Sequence, residues 1–174
     1  MQSQSNNRQA SGAVNGQAAN KALPLHFKTK NRNIMQHTVN TAWKGNMQFD
    51  SEVNGHHLVL DAKAEAGGTD SGVRPKELLL TSLAGCTGMD VVSILRKMRH
   101  EPEYFNIRVD AELTDEHPKH YTSMHITYEF GGQDLDTEKL TKAIELSQEK
   151  YCGVSYMFRQ IMKLTFDIKI LDKY

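Results

Sequence analysis

Two cysteines are the residues of this sequence best suited to covalent chemistry. Cys86 lies in a long apolar segment between Gly85 and Gly88, and Cys152 lies in the segment KYCGVS. A thiolate attacks peroxides and is oxidised to a sulfenic acid, which a second thiol converts to a disulfide. The alternative is that each cysteine is a small buried apolar residue, as is common for this residue type. The pair therefore predicts either one redox centre or two inert core residues.

The two thiols differ in their predicted surroundings. Cys152 lies where one predicted helix ends and the next begins, and thiols at helix N-termini are reactive nucleophiles. Burial of Cys86 in an apolar helix would raise the pKa of its thiol unless a cation faces it. Helix-end electrostatics therefore favours Cys152 as the thiol that ionises more readily. The glycines that flank Cys86 instead leave room for another group to approach the Cys86 thiol closely.

Other catalytic and ligand-binding patterns are absent from the sequence. It contains no CxxC, HExxH or GxSxG motif and no glycine-rich phosphate loop after a strand. The histidine pairs His56-His57 and His117/His120 lie in predicted turns or loops, with no cysteine at a spacing that suits zinc. We therefore expect no metal ion and no other cofactor.

The amino-acid composition limits which partners the protein is expected to bind and in which cellular compartment it is expected to occur. The 174 residues include 21 basic and 21 acidic side chains, so no net charge attracts nucleic acid or an anionic membrane. No apolar run is long enough to suggest a membrane span, and the N-terminus has no apolar signal core. Two cysteines do not make a disulfide scaffold. We expect a cytoplasmic protein that binds neither nucleic acid nor membranes.

The first 34 residues differ in composition from the rest of the chain. They include five basic and no acidic residues, and the first twenty are rich in Gln, Ser, Asn, Ala and Gly. Such a segment buries too little apolar surface to offset the entropy lost on ordering. We predict a disordered tail over residues 1–34 and one domain over residues 35–174.

Period-two apolar patterns and turn residues predict three strands over residues 35–62, with turns at Gly45-Asn46 and Asn54-Gly55. A flexible loop, residues 67–72, leads into a helix over residues 74–99 that carries Cys86. This helix is apolar on nearly all sides, which is typical of a buried helix.

Two antiparallel strands, two short helices and a last strand are predicted after the long helix. The strands cover residues 104–113, 122–130 and 164–170, and Asp136 and Gly153 mark the start and end of the first short helix. Helices grouped between antiparallel strands indicate an α+β fold. One small sheet and two short helices cover too little of the apolar helix, which predicts a homodimer.

The segments RPKELLLTSLAGCTGMDVVSILRK and EKYCGVS resemble the two cysteine motifs of the OsmC/Ohr family, most closely its OsmC-like redox protein branch. The similarity covers residues 35–174. It implies an intertwined homodimer of β-β-β-α-β-β-α-α-β subunits with a long buried central helix. It also implies a thiol peroxidase for organic hydroperoxides, with Cys86 as the peroxidatic thiol, Cys152 as the resolving thiol and an external thiol as reductant.

The sequence departs from the organic-hydroperoxide branch near the reactive thiol. That branch has an Arg in the N-terminal strands and a Glu directly after the helix-opening Pro. Here residues 33–73 contain no Arg, and Lys76 follows Pro75. The candidate substitutes are Lys44, Arg74, Glu77 and Asp90. We expect the Cys86/Cys152 pair to lie in a mostly apolar pocket. A second hypothesis stays open, in which a non-catalytic protein binds a small hydrophobic or electrophilic ligand in this pocket.

Overall fold

The computed structural model describes residues 35–174, and all its helices and strands lie within Thr38–Tyr174, which forms one unit. The predicted tail, residues 1–34, lies outside the described residues. The elements are β1 (Asn40–Gly45), β2 (Gln48–Val53), β3 (His56–Leu60), α1 (Glu77–Lys97), β4 (Tyr104–Leu113), β5 (Tyr121–Gly131), α2 (Thr137–Leu146), α3 (Gly153–Arg159) and β6 (Lys163–Leu171). This α+β order is the predicted one.

The strands form two separate three-stranded sheets. The first, β1-β2-β3, is an antiparallel meander whose turns carry left-handed residues, including Asn46 (φ 45°) and Asn54 (φ 52°). The second has the order β4-β5-β6, with β4 antiparallel and β6 parallel to β5. The parallel pairing requires a crossover connection, which α2 and α3 provide.

The hydrophobic core lies between the second sheet and the three helices. Alternate residues of β5 point into it, as period-two patterning requires. The largest fully buried apolar side chains come from α1, β5 and α2, and they are Leu83, Val91, Leu95, Met124, Ile126, Tyr128, Phe130, Leu140 and Ile144. The core therefore fixes the position of α1 relative to α2 and α3, the elements that carry the two thiols.

Helix α1 is buried along one stripe in the single chain. Leu83, Thr87 and Val91 lie on this stripe, whereas Leu79 is 43% and Met89 72% exposed. The expected absence of a span-length apolar segment needs correction, because α1 is long and apolar enough to cross a membrane by length and composition. A core helix passes the same test, and α1 contributes to the core described above.

The loop between β3 and α1 is held by one carboxylate. Asp61 is buried and accepts hydrogen bonds from the backbone N–H groups and hydroxyls of both Thr69 and Ser71. The backbone N–H of Ser71 and the hydroxyl of Thr69 hold the pKa of the Asp61 carboxyl well below its usual range. The sequence predicts a flexible loop here, but the described geometry is a turn organised around this side chain.

Candidate functional site

The structure brings together the two cysteines, which lie on different elements. Cys86 lies in the third turn of α1, and Cys152 is the N-cap residue of α3. Their Sγ atoms and a carboxylate oxygen of Asp90 all lie within 4.8 Å of one another. Asp90 follows Cys86 by four residues, which places both side chains on one face of α1. Both cysteines are free thiols.

Backbone hydrogen bonds fix the position of Cys152 between α2 and α3. A π-helical turn, Ser147–Tyr151, follows α2, and the Cys152 N–H donates to the Ser147 carbonyl oxygen at 2.8 Å. The backbone N–H of Ser155 donates to Cys152 Sγ at 3.3 Å, so the sulfur acts as the helix cap. Cys152 is 3% exposed. Short π-helical turns are frequent at functional sites.

The surroundings of Cys86 oppose ionisation of its thiol. Burial raises the pKa of the Cys86 thiol, and hydrogen bonding with Cys152 raises it further. The negative charges of an ionised Cys152 and of Asp90 act in the same direction, whereas the backbone N–H of Val154 lowers this pKa. Among the described residues, none of the groups that shift the pKa of Cys86 is a cation.

Lys44 and Arg74, the two side chains suggested by the sequence as cations near Cys86, each pair with groups away from the thiols. Lys44 Nζ lies 3.7 Å from Asp50 Oδ2 on the first sheet. The Arg74 guanidinium donates to the Gly72 carbonyl oxygen and pairs with Asp70, within the loop that precedes α1. Neither contact involves a thiol.

The two suggested carboxylates differ in position. Glu77 is the first residue of α1. Nine residues of a regular helix span about 13.5 Å, which separates Glu77 from Cys86 along the axis. Asp90 is the one residue of the four supporting candidates that the structure places beside the two sulfurs. The site therefore combines two thiols with a carboxylate.

The glycines that flank Cys86 serve different purposes. A Cβ atom at Gly88 would lie 2.9 Å from Ile107 Cδ1, whereas a Cβ atom at Gly85 would meet nothing within 4 Å. Gly88 therefore permits the close approach of β4 to α1. The sequence suggests that both glycines give access to the thiol, but in the structure Gly88 serves the packing of α1 against β4.

A large apolar pocket lies beside α1 on the side of the glycines. Its volume is about 750 Å³, and neither cysteine lines it. A second pocket, of about 220 Å³, is bordered by Asp90 of the thiol site. The sequence predicts a mostly apolar pocket around both thiols, but the residues that line the apolar pocket of the structure do not include either cysteine.

A buried polar cluster, which sequence reasoning missed, lies next to the thiols. Thr87 Oγ1 lies 2.6 Å from the Tyr128 hydroxyl oxygen and 2.9 Å from Ser147 Oγ. Gln148 Nε2 donates to the Tyr128 hydroxyl oxygen at 2.6 Å, and Ser147 Oγ donates to Asp90 Oδ2 at 3.1 Å. The cluster thus links α1, β5 and the π-helical turn through satisfied buried groups.

Arg159 extends this cluster on the side of α3. Its guanidinium donates to the backbone carbonyl of Gln148 at 2.6 Å and to Gln148 Oε1 at 2.9 Å. The sequence signal for the cluster is a polar residue at a core position of α1, Thr87, and another at the end of the apolar stripe predicted for the first short helix, Ser147. Helical periodicity alone does not show that these residues meet.

The fold and the paired thiols together define a class of α+β protein with a two-cysteine site on a long core helix. The model of the OsmC-like protein family matches residues 68–167, which is more than half of the chain. The chain therefore belongs to the OsmC-like protein family, as its two cysteine motifs predict.

Individual relatives agree with this assignment. The chain is 28% identical to protein YhfA of Escherichia coli K12 over 130 residues, which cover 74% of this chain and 94% of YhfA. A hypothetical protein of Aquifex aeolicus VF5 is 28% identical, with a TM-score of 0.67 over 80% of this chain and all of that structure. The organic hydroperoxide resistance protein OhrB of Bacillus subtilis is 18% identical, with a TM-score of 0.57 over 78% of this chain and 98% of OhrB. The likeness to OhrB shows the fold.

Proposed function

We propose that this protein is a two-cysteine thiol redox protein that reduces organic hydroperoxides. The observation that carries the proposal is that Cys86 Sγ and Cys152 Sγ, from two different helices, lie within 4.8 Å of each other. Membership of the OsmC-like family and the structural likeness to an organic hydroperoxide resistance protein favour the same substrate class.

The exposure of the two sulfurs favours Cys86 as the thiol that reacts first. A hydroperoxide must reach the attacking sulfur, and Cys86 is partly exposed whereas Cys152 is buried. The Cys86 thiolate attacks the terminal peroxide oxygen, the O–O bond breaks, and a proton completes the alcohol that leaves. The thiol is thereby oxidised to a sulfenic acid and the hydroperoxide is reduced.

Cys152 then resolves the sulfenic acid. Its sulfur attacks Cys86 Sγ, an S–S bond forms, and the sulfenic oxygen leaves as water with the thiol proton. Two equivalents of an external thiol reduce the disulfide by exchange and restore both thiols. This reset suits a reducing compartment such as the cytoplasm.

The raised pKa of Cys86 sets the expected pH dependence. Only the thiolate attacks, and a thiol with a raised pKa is mostly protonated at neutral pH. The thiolate fraction grows tenfold for each pH unit below that pKa, so the rate of the first step should rise with pH over the same range. The reaction should therefore be slow at neutral pH in the described arrangement.

A second candidate function is non-catalytic binding of a small hydrophobic molecule. It is favoured by the apolar pocket of about 750 Å³ between α1 and β4, which is of the size that small-molecule sites have. Two glycines and four apolar residues make up most of its lining, which also includes Arg96 and Lys97. In this hypothesis the thiols are a structural pair.

Sulfenic acid trapping separates the two hypotheses. Each variant, Cys86→Ser and Cys152→Ser, is treated with one equivalent of cumene hydroperoxide in the presence of dimedone and analysed by mass spectrometry. We expect labelling of Cys86 in Cys152→Ser and little labelling of Cys152 in Cys86→Ser. Thr81→Ala, at an exposed position of α1 that lines neither pocket, is the control and should consume hydroperoxide as the wild type does with a dithiol reductant.

The opposite labelling pattern would exchange the roles of the two cysteines. No labelling in either variant at any pH up to that of full thiol ionisation would contradict the peroxidase proposal. Titration with a hydrophobic fluorescent probe would then test the binding hypothesis directly.

A further inference from the structure

We propose that the reduced site also binds a thiophilic divalent cation of the zinc type, with Cys86 Sγ, Cys152 Sγ and a carboxylate oxygen of Asp90 as ligands. These donor atoms lie within 4.8 Å of one another. Zinc–sulfur bonds of about 2.3 Å in a tetrahedron place ligand atoms about 3.8 Å apart, so a small inward movement completes the site. The inference goes beyond the proposed peroxidase activity and does not depend on it.

Two thiolates and a carboxylate suit zinc and other divalent ions that bind thiolate sulfur. Thiolate sulfur selects zinc-like ions over magnesium and calcium, and a carboxylate is an accepted third ligand. Three protein ligands leave one tetrahedral position for water, as in zinc sites that keep an open position. The two thiols together give up two protons on binding, one from each sulfur, and both Zn–S bonds replace S–H bonds.

Neighbouring groups already orient two of the three ligands, Asp90 and Cys152. Ser147 Oγ donates to Asp90 Oδ2 at 3.1 Å, and the backbone N–H of Ser155 donates to Cys152 Sγ at 3.3 Å. Hydrogen bonds of this kind hold metal ligands in place and contribute to metal affinity. Ser155 Oγ is itself buried and has no hydrogen-bond partner within the described part of the chain. A buried polar atom next to a ligand is suited to bond a metal-bound water.

The charges of the site favour a cation. The ionised forms of Cys86, Cys152 and Asp90 would place three negative charges within 4.8 Å of one another. A divalent ion would be the largest local charge and would favour both thiolates. The Asp90 carboxylate lies close enough to both sulfurs to share in the attraction of the cation.

An access route to the carboxylate exists on the surface. A pocket of about 220 Å³ borders Asp90, and this volume accommodates a hydrated ion. The residues that line it are Asp90, Ser93, Ile94, Lys97, Leu146 and Tyr151. An ion in this pocket can therefore contact the Asp90 carboxylate.

The experiment is a metal titration of the reduced full-length protein without oxygen. Isothermal titration with Zn²⁺ in two buffers of different ionisation enthalpy gives the affinity, the stoichiometry and the number of protons released. We expect one Zn²⁺ per chain with release of two protons near neutral pH. Co²⁺, used as a spectroscopic probe, should show sulfur-to-cobalt charge-transfer absorption.

Variants then test each ligand. Cys86→Ser and Cys152→Ser should each abolish the charge-transfer band, and Asp90→Asn should weaken Zn²⁺ binding by about tenfold or more. Asp115→Asn, a matched change at an exposed position between β4 and β5, should bind as the wild type does. Equal melting temperatures of the metal-free variants exclude unfolding as the cause.

Two results would overturn the inference. One is the absence of saturable Zn²⁺ binding to the reduced wild type, and the other is an unchanged affinity of Asp90→Asn. Hydroperoxide consumption measured in a chelator stays independent of both results, so failure of the metal site and failure of the proposed peroxidase are distinguishable.

Discussion

The two sheets of this chain have similar alternating patterns and different environments. In the second sheet, Ile126 and Phe130 of β5 are fully buried beneath the helices. In the first sheet, Trp43 is 66% and Phe49 38% exposed. Alternation in a strand specifies that one face is apolar, but it does not specify what covers that face. The core of the described chain belongs to the second sheet, and the apolar side chains of the first sheet remain available to a partner.

The largest expected effect comes from removing the same side chain in the two sheets. Phe130→Ala leaves a cavity in the core and should reduce the free energy of unfolding by about 3–5 kcal/mol. Phe49→Ala removes a side chain that the single chain leaves partly exposed and should cost clearly less at low protein concentration. Urea denaturation at two protein concentrations measures both. If both variants lost the same free energy of unfolding at high dilution, the first sheet would be as well covered as the second within a single chain, contrary to this prediction.

The second prediction is that a second copy of the chain covers the exposed apolar surface. Leu79 and Met89 of α1 add to the exposed apolar residues of the first sheet. Soluble monomers rarely keep such surface open. We expect light scattering to show a homodimer at micromolar concentration and Trp43→Glu to shift it towards monomer. Gln160→Glu, at the end of α3, is the charge control and should remain dimeric.

The single tryptophan of the sequence gives an independent measurement of the same association. Trp43 should be more accessible to acrylamide after dilution than at high protein concentration. A stable monomer at micromolar concentration, with Trp43 equally quenched throughout, would contradict the predicted dimer.

The smallest expected effect is a difference in stability between alanine substitutions at Gly85 and Gly88, which lie on two faces of α1. Gly85→Ala adds a methyl group to open space and should stabilise the chain by about 1 kcal/mol, because alanine is the better helix former. Gly88→Ala should give less than this or destabilise, because the added Cβ would lie 2.9 Å from Ile107 Cδ1. Thermal denaturation of both variants measures the difference. If Gly85→Ala is instead destabilising only in the dimer, the second copy packs against this face.

Local patterns were sufficient to predict most of the fold. The turn at Asn54-Gly55 and the cap at Asp136 were confirmed, because each depends on the conformational preferences of a few neighbouring residues. Asp136 accepts hydrogen bonds from the backbone N–H groups of Glu138 and Lys139, as a helix N-cap should. The cysteine motifs were also sufficient to predict the family.

The sequence was a poorer guide to the groups that surround the two thiols. Lys44 and Arg74 were natural candidates for a cation near Cys86, yet each is paired within its own segment. The spacing of cysteine and histidine also indicates no metal site. The zinc site proposed above would join ligands of α1 to the N-cap of α3, and a site of that kind leaves no local sequence motif. Asp90 was identifiable as a residue on the face of Cys86, but its proximity to Cys152 was not.

The sequence by itself determined the order of elements, the α+β class, the family and the identity of the two thiols, because these follow from short-range periodicity and local motifs. The tertiary structure decided which groups surround those thiols. The meeting of Thr87 with Tyr128 and Gln148, and of Gly88 with Ile107, joins residues that are far apart in the chain. Such contacts depend on how whole helices and strands pack, and no pattern within one element specifies them.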